Sequence, residues 1–266
     1  MAGAFDIEAY RRALRSTAIG VRVEYRAATG STMDDAREGA RTRGAASHGT
    51  AYVAGEQAVG RGRLGRMWVS APGAGLYVTY HLCPSDAAHA PLIGLAGGVA
   101  VCDAVEATAG LAPALKWPND VQIEGRKLAG LLAEAQHGAR LDVFLGIGVN
   151  LRLPPDLPPD VASIATSIEA AGTEPPSRER LLAALSDALD ARLRQLAASP
   201  QGLLADWQAR LATLGQRVRL DAPGGAVEGE AVGVSALGEL LLRLDDGTTR
   251  ACAAGDVTTV TAGKPA

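Results

Sequence analysis

A short run of glycines and arginines carries the strongest chemical signal in this sequence. Residues 60–66 read GRGRLGR, and Met67 and Trp68 follow at once. Glycines let a ligand approach the backbone closely, whereas three arginines within six residues repel one another unless an anion lies among them. A polyphosphate of the size of ATP is such an anion, and an aromatic ring offers a flat face to its base.

The same string also fits the pattern GxGxxG, which is typical of dinucleotide-binding folds. That pattern works when a helix begins at the glycines and its N-terminus holds the pyrophosphate. Here the chain continues as WVSAPG and then as an apparent strand. The absence of a helix speaks against a dinucleotide fold, and the absence of the string GxxxxGK[ST] leaves a Walker-type ATPase unsupported.

Two lysines form a second candidate group. Of 26 basic residues, only Lys116, Lys127 and Lys264 are lysine, although an ammonium differs from a guanidinium as a compact point charge. The first two lie in KWPND (116–120) and GRKLAGLL (125–132), on strands that a short turn should pair into a hairpin. This arrangement indicates a polyphosphate clamp, with Asp120 as a magnesium ligand. A turn or capping role for Asp120 stays open.

A third group lies at the end of an apolar strand, where residues 146–150 read GIGVN. Glycines inside a strand mark the close approach of a ligand or of another backbone. Asn150 offers a donor and an acceptor suited to the edge of a base.

Composition restricts the class of protein. With 47% hydrophobic and 21% charged residues the chain resembles an ordinary folded protein, and its net charge of −3 argues against a dedicated nucleic-acid binder. No apolar run is expected to approach the length of a membrane span, and no signal peptide is evident, so the sequence predicts a cytoplasmic protein. Three scattered cysteines indicate buried free thiols rather than disulfides or a zinc site.

Hydrophobic periodicity gives the order of the elements. We expect helices over 6–16, from the N-cap Ser31 to about Arg43, and over 91–109, 177–198 and 201–214, with Trp207 facing the core. We expect strands over 21–27, 50–57, 76–82, 114–123, 127–135 and 141–151, with a glycine-rich loop over 58–75. From residue 216 to 260, short alternating strands with glycine turns predict a small barrel. The predicted domains are therefore 1–214 and 215–266.

Taken together, these motifs resemble the biotin protein ligase family in order and spacing. The resemblance rests on Ser31-Thr32, Gln57, residues 60–68, 116–120, 126–132 and 146–150, and the C-terminal segment is similar to the small SH3-like domain of that family. It implies an α+β fold, with a mixed and largely antiparallel sheet packed with helices, like that of class II synthetases, plus the small C-terminal barrel.

The resemblance also implies roles for individual residues. Biotin would be bound by Ser31, Thr32, Gln57, Gly60, Arg61, Lys127, Gly130 and Leu132. ATP or the adenylate would be bound by Arg63, Arg66, Trp68, Lys116, Asn119 and Asn150. The catalytic set would be Lys127, Arg61, Arg63, Arg66 and Lys116, with Mg²⁺ on Asp120.

The implied reaction joins biotin to AMP and then transfers it to a lysine of a biotin carboxyl carrier protein, a domain of acetyl-CoA carboxylase or a related carboxylase. No protein nucleophile is needed, because positioned charges can bring two anions together. A lipoate–protein ligase and a non-catalytic biotin-binding protein are the alternatives. The sequence has no residue signature for a homodimer and leaves that state open.

The sequence departs from the family in two places. Many members have Asp-Ser-Thr-Asn where this chain has Gly30-Ser31-Thr32-Met33, which removes two polar side chains from the predicted biotin site. About 20 residues precede the first predicted strand, too few for the DNA-binding domain that some members carry. We therefore expect a ligase that is not a repressor.

Overall fold

A seven-stranded mixed sheet forms the centre of the molecule. The structure is a computed structural model that describes residues 5–222 and 224–260. The strands are β1 (Val23–Thr29), β2 (Ala51–Gln57), β3 (Gly75–Leu82), β4 (Ala114–Lys116), β5 (Asp120–Ile123), β6 (Arg126–His137) and β7 (Leu141–Asn150). Their order is β1-β2-β3-β7-β6-β5-β4, in which only the β1–β2 pair is parallel. The expected α+β class is confirmed.

Helices cover both faces of this sheet. They are α1 (Ile7–Ala13), α2 (Thr32–Arg43), α3 (Ile93–Ala109), α4 (Pro159–Ile164), α5 (Arg178–Ala198) and α6 (Pro200–Ala209). Helix α2 packs on one face, against β2, β3 and β7, while α3 and α5 pack on the other. The Ser31 side chain accepts from the Met33 amide, so the predicted N-cap of α2 is present.

The prediction of one continuous strand over residues 114–123 is wrong. The chain folds there into the hairpin β4–β5, with Trp117 and Pro118 in the turn and a cis peptide bond between them. Proline lacks the amide hydrogen that a continuous strand would need, which is the physical reason for the break. Lys116 and Asp120 become facing residues of the hairpin.

Helix α3 corrects the expectation about apolar runs. Residues 87–109 form a segment long and apolar enough, by length and composition, to cross a membrane. In the fold, 67% of its most apolar window is buried, and Leu95, Val99 and Cys102 belong to the main hydrophobic core. A buried core helix passes the same compositional test as a membrane span, and the packing of α3 identifies it as a core helix.

The C-terminal residues form a separate antiparallel sheet. Its strands are β8 (Arg217–Ala222), β9 (Gly225–Val234), β10 (Leu240–Arg243), β11 (Thr249–Cys252) and β12 (Asp256–Thr259), in the order β11-β10-β9-β8-β12. Buried residues of this sheet, such as Val218, Leu220 and Leu242, join the same core cluster as the large sheet. The two sheets are therefore packed together, and the domain boundary near residue 214 stays a prediction.

Candidate active site

A cleft of about 730 Å³ opens at one end of the large sheet. Its walls are the loop between β2 and β3, the β4–β5 hairpin, the segment after β7 and the start of β12. Every residue of the predicted site except Gly60 lines it, namely Ser31, Thr32, Gln57, Arg61, Arg63, Arg66, Trp68, Lys116, Asn119, Asp120, Lys127, Gly130, Leu132 and Asn150. Motifs that are more than a hundred residues apart thus meet in one place.

Neutral polar groups form one recess of the cleft. Gln57 Oε1 accepts from the Thr32 backbone amide at 2.9 Å and from Thr32 Oγ1 at 3.1 Å. Gln57 Nε2 donates to Ser70 Oγ at 2.8 Å, and the Thr32 hydroxyl lies 2.8 Å from that of Thr79. These bonds fix the orientation of the Gln57 amide, and the recess suits a neutral polar ligand rather than an ion.

Glycines make room for Trp68 beside this recess. A Cβ atom on Gly148 would come within 2.4 Å of the indole, and one on Gly130 within 2.8 Å, so the ring lies directly on the backbone of β6 and β7. Its Nε1 is buried without a hydrogen-bond partner among the described residues. Gly60 is buried beneath the loop, because a Cβ there would lie 2.3 Å from the Trp68 carbonyl oxygen. Gly60 thus shapes the loop and does not line the cleft.

An ion pair lies next to the tryptophan. Lys127 Nζ is 2.7 Å from Asp120 Oδ1 and 5.4 Å from the centre of the Trp68 ring, and both charged side chains are about three-quarters buried. A cation over an indole face is attracted by the ring quadrupole. The lysine is thereby held between a carboxylate and an aromatic ring, at the boundary between the neutral recess and the arginine loop.

Each arginine of the loop has a partner elsewhere in the chain. Arg61 donates to Asp34 at 2.6 Å, Arg66 forms an ion pair with Asp256, and Arg63 donates to Asn119 Oδ1 at 3.2 Å and to the Gly255 carbonyl at 3.4 Å. Burial lowers the pKa of Arg63, while Asp256 and Asp120 oppose that change. The loop is therefore held against α2 on one side and the C-terminal sheet on the other.

The remaining polar residues of the predicted site, Asn119, Asn150 and Lys116, differ in their partners. Asn119 Nδ2 donates to the Leu131 carbonyl at 2.7 Å, and Asn150 Nδ2 donates to the Thr166 carbonyl at 2.9 Å. These bonds place both amides on the cleft wall and leave Asn150 Oδ1 for other partners. Within the part of the chain that the structure describes, no carboxylate lies within 4 Å of Lys116 Nζ.

Sequence reasoning missed two parts of the wall. The segment after β7 contributes apolar side chains, among them Leu153, Leu157, Val161 and Ile164, and Ile164 is 59% exposed. The sequence of this segment shows no strong periodicity. Its apolar residues between prolines were a signal that could have marked it as part of the site. The second part is Asp256 at the start of β12, which nothing in the local sequence marks as a site residue.

Comparison with known proteins agrees with this geometry. The model of the biotin/lipoate A/B protein ligase family matches residues 27–150, and that of the biotin protein ligase C-terminal domain matches 213–258. A biotin--[acetyl-CoA-carboxylase] ligase of Mycobacterium tuberculosis is 38% identical over 92% of this chain and 94% of its own length. The bifunctional ligase/repressor BirA of Bacillus subtilis is 32% identical over 89% of this chain and 74% of its own length.

A solved structure extends the likeness to three dimensions. The biotin protein ligase from Aquifex aeolicus, in complex with biotin and ATP, superposes with a TM-score of 0.78 at 26% identity, over 91% of this chain and all of that one. Together, the matched family models, the extent of the 38% identity and the shared fold show that the chain belongs to the biotin protein ligase family.

Proposed function

We propose that this protein activates biotin with ATP as biotinoyl-5′-AMP and then transfers the biotinoyl group to a lysine of a carrier protein. One observation carries the proposal: a neutral polar recess and a group of paired cations meet at Lys127 in a single cleft. The relative from M. tuberculosis is named as a biotin--[acetyl-CoA-carboxylase] ligase, and the A. aeolicus structure contains biotin and ATP.

The neutral recess is the proposed site of the biotin ring. Ser31, Thr32 and Gln57 would hydrogen-bond the ureido group, since hydroxyl and amide groups match a neutral donor and acceptor. Gly130 and Leu132 would border the ring, and Gly60 would hold the loop in place beside it. Met33, which many family members replace by asparagine, is 3% exposed and packs in the small core of α2.

The carboxylate of biotin would then reach the charged part of the cleft. Arg61 and Lys127 would bind it there, while Arg63 and Arg66 would bind the phosphates of ATP and Lys116 would bind the departing pyrophosphate. A carboxylate oxygen attacks the α-phosphorus and the bond to the β-phosphate oxygen breaks. The cations act by reducing the repulsion between two anions and by stabilising the charge that develops on pyrophosphate.

The nucleoside would occupy the part of the cleft between the tryptophan and the end of β7. Trp68, Asn119 and Asn150 are the proposed contacts, and the free Oδ1 of Asn150 suits the amino group of adenine. Trp68 also touches Gly130 and lies below Lys127. It would therefore stand at the junction between the two substrates, and its buried Nε1 has no hydrogen-bond partner among the described residues.

Asp120 is the proposed ligand for Mg²⁺. One of its oxygens contacts Lys127 at 2.7 Å, and a single carboxylate is adequate for magnesium when phosphate oxygens complete the ligand set. The residues present therefore fit the ion. When bound, it would supply positive charge to the phosphates. Lys127 would be released from Asp120 at the same time and would become available to the biotin carboxylate.

In the second step, the neutral amine of the carrier lysine attacks the acyl carbon and AMP leaves. We propose a biotin carboxyl carrier protein domain as the acceptor and the cytoplasm as the location. The apolar wall formed by Leu153, Leu157 and Ile164 lines the cleft and would shield the adenylate from water. We also propose that residues 1–214 form the catalytic domain and 215–266 the SH3-like domain.

The decisive experiment is exchange of labelled pyrophosphate into ATP, with magnesium and either biotin or lipoate. It isolates the first step and needs no carrier. Exchange with biotin alone would support the proposal, and exchange with lipoate alone would identify a lipoate ligase. If neither acid supports exchange but biotin binds, the protein would be a binding protein without the ligase activity.

A further inference from the structure

A cluster of three possible metal ligands lies at the end of the sheet opposite to the cleft. His81 is on β3, Cys83 directly follows that strand, and Asp142 is on β7. The ligand atoms of all three lie within 4.8 Å of one another. Gly75 and Asn150 pair at the cleft end of these strands, and His81 lies six residues further along β3. The nearest part of the cleft, at Thr79, is two residues from His81, or about 7 Å of extended chain.

Strand geometry explains why the three side chains converge. His81 and Cys83 are two residues apart and therefore point to the same face of the sheet. His81 pairs with Phe144 and Leu82 with Val143, so the register brings Asp142 opposite Cys83, on that face as well. The earlier expectation that the cysteines mark no zinc site overlooked this cluster, because Asp142 is 59 residues from Cys83.

Distances in the cluster are close to those of a tetrahedral zinc site. Cys83 Sγ lies 3.6 Å from His81 Nε2 and 3.5 Å from Asp142 Oδ1, and ligands of one tetrahedral zinc ion are about 3.3–3.6 Å apart. His81 Nε2 and Asp142 Oδ1 are 2.8 Å apart. That pair would have to separate by about half an ångström on binding, which a small rotation of the Asp142 carboxylate would achieve.

Two hydrogen bonds hold the His81 ring. Nε2 donates to Asp142 Oδ1 at 2.8 Å, because an ionised carboxylate only accepts, and Nδ1 lies 2.6 Å from Ser47 Oγ. A metal ion at Nε2 would displace the hydrogen from that nitrogen, and the ring can carry it on Nδ1 instead, with Ser47 Oγ as its acceptor. A hydrogen bond from the second ring nitrogen is typical of metal-binding histidines.

We propose that His81, Cys83 and Asp142 bind a divalent ion of the zinc class, with solvent as the fourth ligand. Imidazole, thiolate and carboxylate together are the ligand types of that class. His81 is fully buried, whereas Cys83 is partly exposed, so an ion can enter from the side of the sulfur. On binding, Cys83 loses its thiol proton to solvent and the S–M bond forms.

One positive charge lies beside the cluster and would give way to a metal ion. Arg140, a half-buried side chain directly before β7, donates to Asp142 Oδ1 at 2.7 Å and to the Ala40 carbonyl at 3.3 Å. A metal ion would replace this guanidinium as the positive partner of the carboxylate.

Cobalt(II) is the probe for the test, since its thiolate complexes absorb in the near ultraviolet and zinc is colourless. The full-length protein, freed of metal by a chelator, is titrated with Co²⁺. We expect one saturable equivalent, with thiolate-to-cobalt absorption and the intense visible bands of a tetrahedral ion, and displacement of both by Zn²⁺. Absence of the near-ultraviolet band in the wild-type protein would overturn the proposal.

Variants assign the ligands. Cys83→Ser should lose the near-ultraviolet band, whereas Cys252→Ser, which removes a buried thiol of the C-terminal sheet, should keep it. Asp142→Asn should weaken Co²⁺ binding at least about tenfold. Circular dichroism establishes whether each variant is folded. If Cys83→Ser is not folded, Asp142→Asn provides the test. A band that survives in folded Cys83→Ser would contradict the assignment. None of the three ligands lines the cleft, so the outcome is independent of the ligase activity.

Discussion

We expect the positive side chains of the cleft to exchange one set of contacts for another when an anion binds. Arg61, Arg66 and Lys127 each contact a carboxylate in the structure. The more exposed pairs of Arg61 and Arg66 contribute only about 0–1 kcal/mol to stability, so giving those two up costs little. Phosphate and carboxylate groups of the substrates present more acceptor oxygens in the same place. The internal pairs thus keep the site ordered without competing strongly against the substrates.

Removing Lys127 tests this view of the site. We expect Lys127→Ala to lower the rate of biotin-dependent pyrophosphate exchange by about 100-fold or more, because a preorganised cation is lost where negative charges meet. Arg192→Ala is a matched control. Arg192 also forms a 2.7 Å pair with a partly buried aspartate, Asp103, but lies on α5 away from the cleft. It should lower stability and leave exchange nearly unchanged; a Lys127→Ala enzyme with the wild-type exchange rate would refute the assigned role.

The sequence could indicate which cations line the cleft but could not indicate their partners. GRGRLGR and the scarcity of lysine single out Arg61, Arg63, Arg66, Lys116 and Lys127 by residue type and spacing. Asp34 is 27 residues from Arg61, and Asp256 is 190 residues from Arg66. Such pairs arise from tertiary packing, for which a single sequence carries no local pattern.

Gly148, on which the Trp68 ring lies, allows a prediction about the shape of the cleft rather than its charge. In Gly148→Ala, the new methyl group would lie 2.4 Å from the indole, so the ring must move into the cleft. We expect the KM for biotin to rise and the tryptophan fluorescence to shift. Gly138→Ala is the control, because its nearest contact is 4.0 Å away in an open turn. Equal biotin KM values in the two variants would show that Trp68 does not border the substrate.

At the scale of elements, periodicity predicted the helices and most strands because their buried faces repeat regularly. Helix α5 (Arg178–Ala198) agrees closely with the expected range 177–198. The hairpin at Trp117–Pro118 and the short helix α4 were not predicted as such. Their positions depend on contacts with β5 and with the cleft, and short elements have too few residues to show a period.

The loop between β2 and β3 has enough internal order to close over a ligand as a unit. Trp68 N donates to the Gly60 carbonyl and Gly62 N to that of Arg66, while the outer side chains of Arg61 and Arg66 remain exposed. We predict that biotin and ATP together slow tryptic cleavage after these arginines, since the loop would bind the adenylate and shield it. Mass spectrometry of the fragments measures this. Cleavage rates that are the same with and without both substrates would contradict closure.

Helix α3 offers a matched pair of substitutions that tests its position in the core. A Cβ on Gly94 would meet only Ala133 Cβ at 3.7 Å, whereas one on Gly97 would lie 2.9 Å from Leu131 and 3.0 Å from Leu145. We expect Gly94→Ala to be neutral or to stabilise by up to about 1 kcal/mol through helix propensity. Gly97→Ala should destabilise by about 1–3 kcal/mol through overpacking. Urea denaturation measures the free energy of unfolding of both variants. If Gly94→Ala were the more destabilised of the two, the described packing of α3 against β6 and β7 would be wrong.

On the scale of the whole molecule, the C-terminal sheet is part of the cleft and shares the main core. Trp117 Nε1 donates to the Gly238 carbonyl at 2.9 Å, and Val234 N donates to Gln208 Oε1 at 3.1 Å. These bonds tie the sheet to the β4–β5 hairpin and to α6. Gly255 and Asp256 then reach the arginine loop. The sheet is therefore in direct contact with the arginine loop, and we expect it to influence nucleotide binding.

Asp256→Asn tests that influence. Loss of the carboxylate frees Arg66 for the phosphates and removes a negative charge from the wall, so we expect the KM for ATP to fall by about two- to fivefold, the effect of one partly exposed ion pair. The biotin KM should not change, because Asp256 contacts the loop at Arg66, away from Thr32 and Gln57. Asp245→Asn is the control, since it breaks an equivalent pair with Arg217 at 2.7 Å on the same sheet, outside the cleft. A higher ATP KM in Asp256→Asn alone would instead mean that the aspartate holds Arg66 in its binding position, and equal values in both variants would remove Asp256 from the nucleotide site.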